Sequence, residues 1–398
     1  MLANSPAGGV DLRPVADKVE SAERLDFEDG LRLVQSNDIH EIGRLANLVR
    51  ERWHARKAFY NINRHINYAN YCVLRCKFCS FYRPYPKGRP KGAAAKGGYE
   101  LTVEQVAELA KEAYDQGATE VHIVGGLHPR LPFEYYVDMC RTIRQACPRM
   151  HIKAFTAIEI IHFTRISRPR LSIRQVLERL RDAGLDSLPG GGAEIFDDRV
   201  HAEAYKNKVG EQGWFDVHRE AHEMGIFTNA TMLYGHVETP AERVRHLIKM
   251  RDHQDESLAS RRAHFNCCVP LSFVPEGSEL AHLPGPTGLT DLKTLALARL
   301  MLDNVPHIKA FWPMLSAKLA QVGLNWGVDD LDGTVVYYDI TKREGGLNQT
   351  HQELSVDKIK RLIVEADCVP LERDSLYRLV ERRGDDWHII EKPIFSVR

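Results

Sequence analysis

Three cysteines fall within eight residues: Cys72-Val73-Leu74-Arg75-Cys76-Lys77-Phe78-Cys79, a C-x₃-C-x₂-C spacing with an aromatic residue directly before the third thiol. Thiolates are the usual ligands of iron–sulfur clusters, and such a cluster normally takes four. Here the local count is three, which on a 4Fe–4S cube leaves one iron open to a small molecule that is to receive an electron. A closed zinc site would need a fourth Cys or His, and His65 is poorly spaced to serve. Core packing of three inert thiols so close together is the remaining reading.

The elements that must position this loop alternate between short β-type runs and amphipathic helices. Strands are expected at Ile66 to Tyr71, Glu120 to Gly125, His151 to Ile158, Asp186 to Leu188, Phe227 to Leu233 and Phe265 to Phe273, with Ile308 to Leu315 and Thr334 to Ile340 as further candidates. Thr102-Val103-Glu104-Gln105, Ser172-Ile173-Arg174-Gln175 and Thr239-Pro240-Ala241-Glu242 are helix-start signatures, while Gly117 and Gly184 sit where helices should stop. Serial βα units build a parallel sheet, so the fold expected is an α/β (β/α) barrel of six to eight units with ligands at the carboxyl ends of its strands. Residues 1–64 read as an N-terminal helical cap, 65–305 as the barrel core and 306–398 as a C-terminal extension completing it.

Composition excludes several classes of function. Lys+Arg and Asp+Glu are each 54, giving a formal net charge of zero, so no global field recruits nucleic acid or an acidic membrane. No run approaches the ~18 apolar residues of a membrane span, and the N-terminus lacks the pattern of a signal peptide, which makes the cytoplasm the expected address. Eight cysteines in 398 residues, two of them adjacent at Cys267 and Cys268, do not form the even framework of a disulfide-stapled protein. The one biased stretch, Arg83 to Gly98, carries five basic residues and no acid; it is either a solvated loop or a lid over an anionic ligand.

The triplet at the end of a first barrel strand resembles the radical S-adenosylmethionine superfamily. Longer phrases sharpen the likeness: NRHINYANYCVLRCKFCSFYRP (63–84), GGLHPRLPFEYY (125–136), HIKAFTAIEIIHF (151–163), GLDSLPGGGAEIFDDRV (184–200), TNATMLYGHVE (228–238) and DLDGTVV (330–336). Together they are similar to the aminofutalosine synthase family of the futalosine route to menaquinone, over nearly the whole chain. Dehypoxanthine futalosine cyclase and the deazaflavin-precursor synthase subunits share GGLHP-like and GGAEI-like phrases, so discrimination rests on 187–196 and 330–336. A longer basic loop and the Cys267-Cys268 pair are departures from the family pattern. An alternative of another class is a non-catalytic iron–sulfur or zinc protein.

The resemblance implies that Cys72, Cys76 and Cys79 hold a 4Fe–4S cluster whose open iron chelates S-adenosylmethionine. That molecule is then cleaved to a 5′-deoxyadenosyl radical and consumed as a substrate. It further implies radical addition to the enol ether 3-[(1-carboxyvinyl)oxy]benzoate, with rearrangement and decarboxylation to 6-amino-6-deoxyfutalosine, and an external electron donor such as flavodoxin or ferredoxin. Phe78, Gly125, Gly126, Glu159, Gly191, Gly192 and Glu194 are the expected cofactor contacts, and Glu194, His128, Tyr234 and His236 the catalytic candidates. Lys153, His162 and Asn229 also stand at strand ends. A dicarboxylate substrate calls for Arg, Lys, His or a nest of backbone N–H groups, which Gly190-Gly191-Gly192 is placed to provide. Lys309, in the phrase Pro306 to Lys309, carries no assignment at this level.

Overall fold

The computed structural model describes residues 9–86, 97–335, 353–384 and 386–390. Strands β1 (Lys57–Asn61) and β2 (Asn63–Ile66) are two halves of one stave interrupted at Ile62, followed by β3 (Glu120–Ile123) and β4 (His151–Ala154). Then come β5 (Thr228–Tyr234), β6 (Phe265–Ser272), β7 (His307–Ile308), β8 (Asp330–Gly333) and β9 (Val369–Glu372), and the hairpin β10 (Val380–Arg383) with β11 (Asp386–Ile389).

The parallel pairings run round an unbroken ring. β2 pairs β3 and β3 pairs β4, Lys153 bridges Ser187, Leu188 bridges Thr228 on β5, β5 pairs β6 and β6 pairs β7. Lys309 then bridges Asp330 on β8, and β8 pairs β1, so the barrel closes, through single bridges at three of its seams. Its fourth stave is only the Ser187–Leu188 pair, in keeping with the brevity of the strand expected at Asp186 to Leu188.

Local chemistry starts the outer helices as expected. Thr102, Ser172 and Thr239 each accept from the backbone N–H three residues on, while Gln105, Gln175 and Glu242 reach back, completing three capping boxes. A fourth box, Thr156 with Glu159, starts helix Ala157–Ile166 and cuts short the strand expected to run on to Ile158. Likewise the run after Ile308 turns into a short helix, Trp312–Leu315, and the eighth stave comes earlier than Thr334, at Asp330–Gly333. The first stave also sits earlier, at 57–66 rather than 66–71, so the helical segment ends at His54, short of the boundary expected at 64. Its helices Phe27–Gln35 and Ile39–His54 pack on outer helices Pro240–Ser260 and Gly288–Met301, against the flank of the barrel.

The floor is built by the C-terminal segment. β9 adds in parallel to the lower half of β1, from Lys57↔Val369 to Tyr60↔Glu372. The chain then buries Arg373, Asp374, Ser375 and Tyr377. Arg373 donates to Asp330 at 2.8 Å, and Ser375 donates to Glu120. This segment therefore satisfies charges that strands β3 and β8 turn inward.

Candidate active site

The cysteine loop leaves the top of the first stave and is held by its backbone. Cys72 N–H donates to Arg83 O (3.1 Å), Val73 N–H to Leu127 O (3.0 Å) and Lys77 N–H to Ala204 O (2.8 Å). Arg83, one of the five basic residues of the biased stretch, donates to the carbonyls of Ser80, Phe81 and Tyr82 and so clamps the same loop. Of the loop expected as a lid, Arg83 to Gly98, residues 87–96 lie outside the described residues. Cys72 Sγ accepts from the N–H groups of Leu74 and Leu127, both at 3.4 Å.

All eight cysteines are free thiols. Burial pushes the Cys76 thiol up to about 12, against the attraction of the Lys208 ammonium, so loading a metal group here must release protons. Among the described residues, the only trio of ligating side chains whose donor atoms all lie within 4.8 Å of one another is His54, His307 and Asp329. Three thiols on one short loop, with Cys72 Sγ accepting from two backbone N–H groups, are a donor set that suits an iron–sulfur cluster with one open iron. The His54 trio, by contrast, is a filled core network: His54 Nε2 meets Pro306 O at 2.7 Å and Arg299 holds Asp329 at 2.5 Å.

Below the loop lies a cavity of about 240 Å³, bounded at its mouth by Phe78, Cys79, Thr156, Gly190-Gly191-Gly192 and Glu194. The glycines are there for want of a Cβ. At Gly190 it would meet the Ala230 backbone at 2.6 Å, and at Gly126 it would run into the Tyr71 carbonyl. Glu194 holds a left-handed φ of +49°, a strained state for a side-chain-bearing residue, and its carboxylate pairs with Lys208. The Lys208 ammonium also stands 5.4 Å from the Phe78 ring centroid. Sequence reading missed Lys208, because it lies on a loop with no helical or strand pattern to mark it.

Of the other expected residues, Lys153 and Asn229 line the cavity, whereas His128, Glu159, His162, Tyr234 and His236 do not. His128 Nδ1 accepts from the N–H groups of Arg130 and Leu131 while Nε2 meets Glu100 at 2.6 Å, which makes it the organiser of the loop after Gly126. His162 turns its Nε2 to His128 O. The Tyr234 hydroxyl donates to Asp291 at 2.8 Å, and the His236 ring, with Nε2 on Leu233 O, stacks behind Phe78. In this structure His128, Tyr234 and His236, expected as catalytic candidates, are bonded into the walls beside the cavity and do not line it.

Glu159 is the most heavily bonded of them. Its Oε1 accepts from Tyr68 OH (2.7 Å) and Gly125 N–H (3.2 Å), and its Oε2 from Thr156 N–H (2.7 Å) and Thr156 OH (2.8 Å). It therefore fixes the Gly125-Gly126 turn from behind and presents no free oxygen to a cofactor. Burial raises its carboxyl to about 7 despite those donors.

The floor of the cavity holds residues that the sequence left unassigned. Lys309, His65, His122 and Asp332 join Lys153 there, beneath walls that include Leu233, Leu271 and Phe311. Lys309 donates to Asp332 at 2.5 Å and Lys153 to Glu120 at 2.7 Å. The His65 and His122 rings lie 4.4 Å apart, and burial lowers both below the ordinary histidine range. Asp332, in the DLDG phrase, has φ +63°, and the adjacent Gly333 lets β8 approach Asn61 where a Cβ would collide. Their signal in the sequence is weak because each is one polar residue in a strand-like run.

Comparison with known proteins agrees with this geometry. The Radical SAM superfamily model matches residues 66–249, from the first stave to the helix after β5. The aminodeoxyfutalosine synthase of Thermus thermophilus is 45% identical over 93% of this chain and 96% of its own length. That of Streptomyces coelicolor is 40% identical over 94% and 95%. Among solved structures, methylornithine synthase superposes with a TM-score of 0.67 at 18% identity, covering 89% of this chain and 97% of that one, a likeness of fold. With both relatives matched over 95% or more of their own length, the chain belongs to the aminodeoxyfutalosine synthase family of radical S-adenosylmethionine enzymes.

Proposed function

We infer that this chain catalyses the reaction for which its relatives are named, acting in the cytoplasm. It would join the adenosyl group of S-adenosylmethionine to 3-[(1-carboxyvinyl)oxy]benzoate and lose carbon dioxide, giving 6-amino-6-deoxyfutalosine. The observation that carries this reading is the 45% identity along 93% of the chain, joined to a three-thiol loop above a cavity. A 4Fe–4S cluster held by Cys72, Cys76 and Cys79 would supply the electron that cleaves S-adenosylmethionine and so the 5′-deoxyadenosyl radical, drawing on an external donor such as flavodoxin or ferredoxin.

The chain's own residues do the rest by placement. Gly125 and Gly126, held by Glu159, let the turn pack against Tyr68 and Tyr71 beside the cysteine loop, where the methionyl group would lie, and Phe78 offers a face to the adenine. Gly191, Gly192 and the Glu194–Lys208 pair bound the space in which the ribose would lie. Glu194 accepts from hydroxyls there, and Lys208 holds its carboxylate in place. The apolar wall of Leu233, Leu271 and Phe311 excludes water from the radical, while close packing restricts the angle of attack on the enol carbon.

The test is anaerobic incubation of reduced, iron-loaded protein with S-adenosylmethionine and the enol ether, read by mass spectrometry. Formation of 6-amino-6-deoxyfutalosine is expected. Failure to consume the enol ether, with dehypoxanthine futalosine consumed in its place, would overturn the reading in favour of the cyclase.

A further inference from the structure

The floor of the cavity contains two ammonium groups with more donors than partners. Lys153 is 3% exposed and Lys309 5%, and both line the cavity. Each carries three N–H donors, yet among the described residues Lys153 donates only to Glu120 and Lys309 only to Asp332. A buried donor without an acceptor is costly, so the spare N–H groups of both lysines call for one in the cavity between them.

The two lysines are not equivalent. Lys309 faces Asp332 and feels Asp330 as well, and together these carboxylates raise its affinity for the proton. Lys153 has Glu120 alone, which also accepts from Ser375, and it is repelled by Lys309 and Arg373; burial and that repulsion lower its affinity. By geometry, Lys153 has the greater need of a further acceptor, because its one partner, Glu120, is shared with Ser375.

We propose that Lys153, with Lys309 beside it, seats the ring carboxylate of the substrate, orienting the benzoate so that its enol end faces the cysteine loop. The assignment rests on the reaction inferred above. Length supports this orientation. Thr156 at the mouth and Lys153 at the floor both line the cavity and are three residues apart along the chain that leaves β4, at most about 10 Å at 3.3 Å per residue. A benzoate with a meta enol ether spans a comparable distance, on the order of 7 Å from carboxylate to vinyl carbon for bond lengths near 1.4 Å. The aromatic ring would then lie between Leu233, Leu271 and Phe311, the apolar belt between floor and mouth. Lys153 is on this account a positioning residue and takes no part in bond making.

The experiment compares the iron-loaded wild type with Lys153→Met, Lys153→Arg and the charge-balanced Lys153→Met/Glu120→Gln. Steady-state kinetics would use the enol ether and its analogue without the ring carboxylate, 2-phenoxyacrylate. Calorimetry would measure binding of the inert probe 3-ethoxybenzoate. Loss of a charge-assisted bond should raise KM for the full substrate and weaken the probe on the order of 10- to 100-fold in both Met variants. KM for 2-phenoxyacrylate and for S-adenosylmethionine should stay put, and Lys153→Arg should recover part of the loss. A folded double variant that keeps the wild-type KM and probe affinity, or still distinguishes the two substrates as the wild type does, would overturn the proposal. If the wild type binds 3-ethoxybenzoate through Lys153 but does not turn over the enol ether, the carboxylate seat stands and the inferred reaction falls.

Discussion

Replacing Glu159 with Gln exchanges a titratable carboxyl for an amide, at nearly constant volume, at a position where four donors converge. Two of those donors are hydroxyls, Tyr68 and Thr156, which can rotate and become acceptors. The other two are the backbone N–H groups of Gly125 and Thr156, which cannot. An amide offers one carbonyl and one NH₂, so whichever way the new side chain turns, a buried backbone N–H faces another N–H, at a cost of about 1–3 kcal/mol. Opposing this, the variant no longer ionises. Glu159 is held neutral in the fold up to about 7, against an ordinary value of 4.5. A raised carboxyl contributes stability that is present below about 4.5 and lost as pH climbs through about 7, amounting to at most roughly 3.5 kcal/mol at 1.4 kcal/mol per pH unit. Glu159→Gln should therefore be less stable than wild type at pH 5.5, and the deficit should shrink or reverse by pH 8.5. With unfolding entropy near 2.1 cal/mol/K per residue, a chain of this size shifts Tm by about 2–3 °C for 2 kcal/mol. Differential scanning fluorimetry across that pH range reads it directly. A deficit equal at every pH would mean that Glu159 ionises normally, and no deficit at pH 5.5 would mean that the four bonds do not hold the glycine turn.

Other substitutions separate the parts of the site. Cys72→Ala, Cys76→Ala or Cys79→Ala should each abolish iron binding, while Cys267→Ala, at a thiol buried in β6, should leave iron content intact; full iron in Cys76→Ala contradicts the assignment. Lys208→Met strands the buried Glu194 carboxylate and should lower stability by about 3–5 kcal/mol, most of which Lys208→Met/Glu194→Gln restores, as chemical denaturation would show. If the single variant is as stable as the double, the pair is not coupled. Gly126→Ala drives a methyl group into the Tyr71 carbonyl and should raise KM for S-adenosylmethionine far more than for the enol ether, and equal effects on both would place the turn elsewhere in the reaction.

What the sequence makes legible follows from how local each signal is. The capping boxes at Thr102, Ser172 and Thr239 and the cysteine spacing are written in adjacent residues, and the structure carries all four. The Thr156–Glu159 box is equally local, but the apolar run His151 to Ile158 hides it, because strand and buried helix read alike over so short a stretch. β1 and β9 have no alternating pattern of their own: they become strands by pairing across hundreds of residues, Lys57 with Val369 and Phe59 with Asp330. For the same reason Lys208, Lys309 and Asp332 gain meaning only from the fold. Lys208 meets Glu194 across a loop, and Lys309 meets Asp332 across a barrel seam.

The most direct test of the account follows the adenosyl group itself. Reduced protein would be incubated anaerobically with S-adenosylmethionine labelled with carbon-13 throughout the ribose, together with the enol ether, and the label traced by mass spectrometry. The label should appear in 6-amino-6-deoxyfutalosine, with one carbon dioxide released per labelled product. Label recovered only as free 5′-deoxyadenosine, with the enol ether's carbons intact, would contradict it.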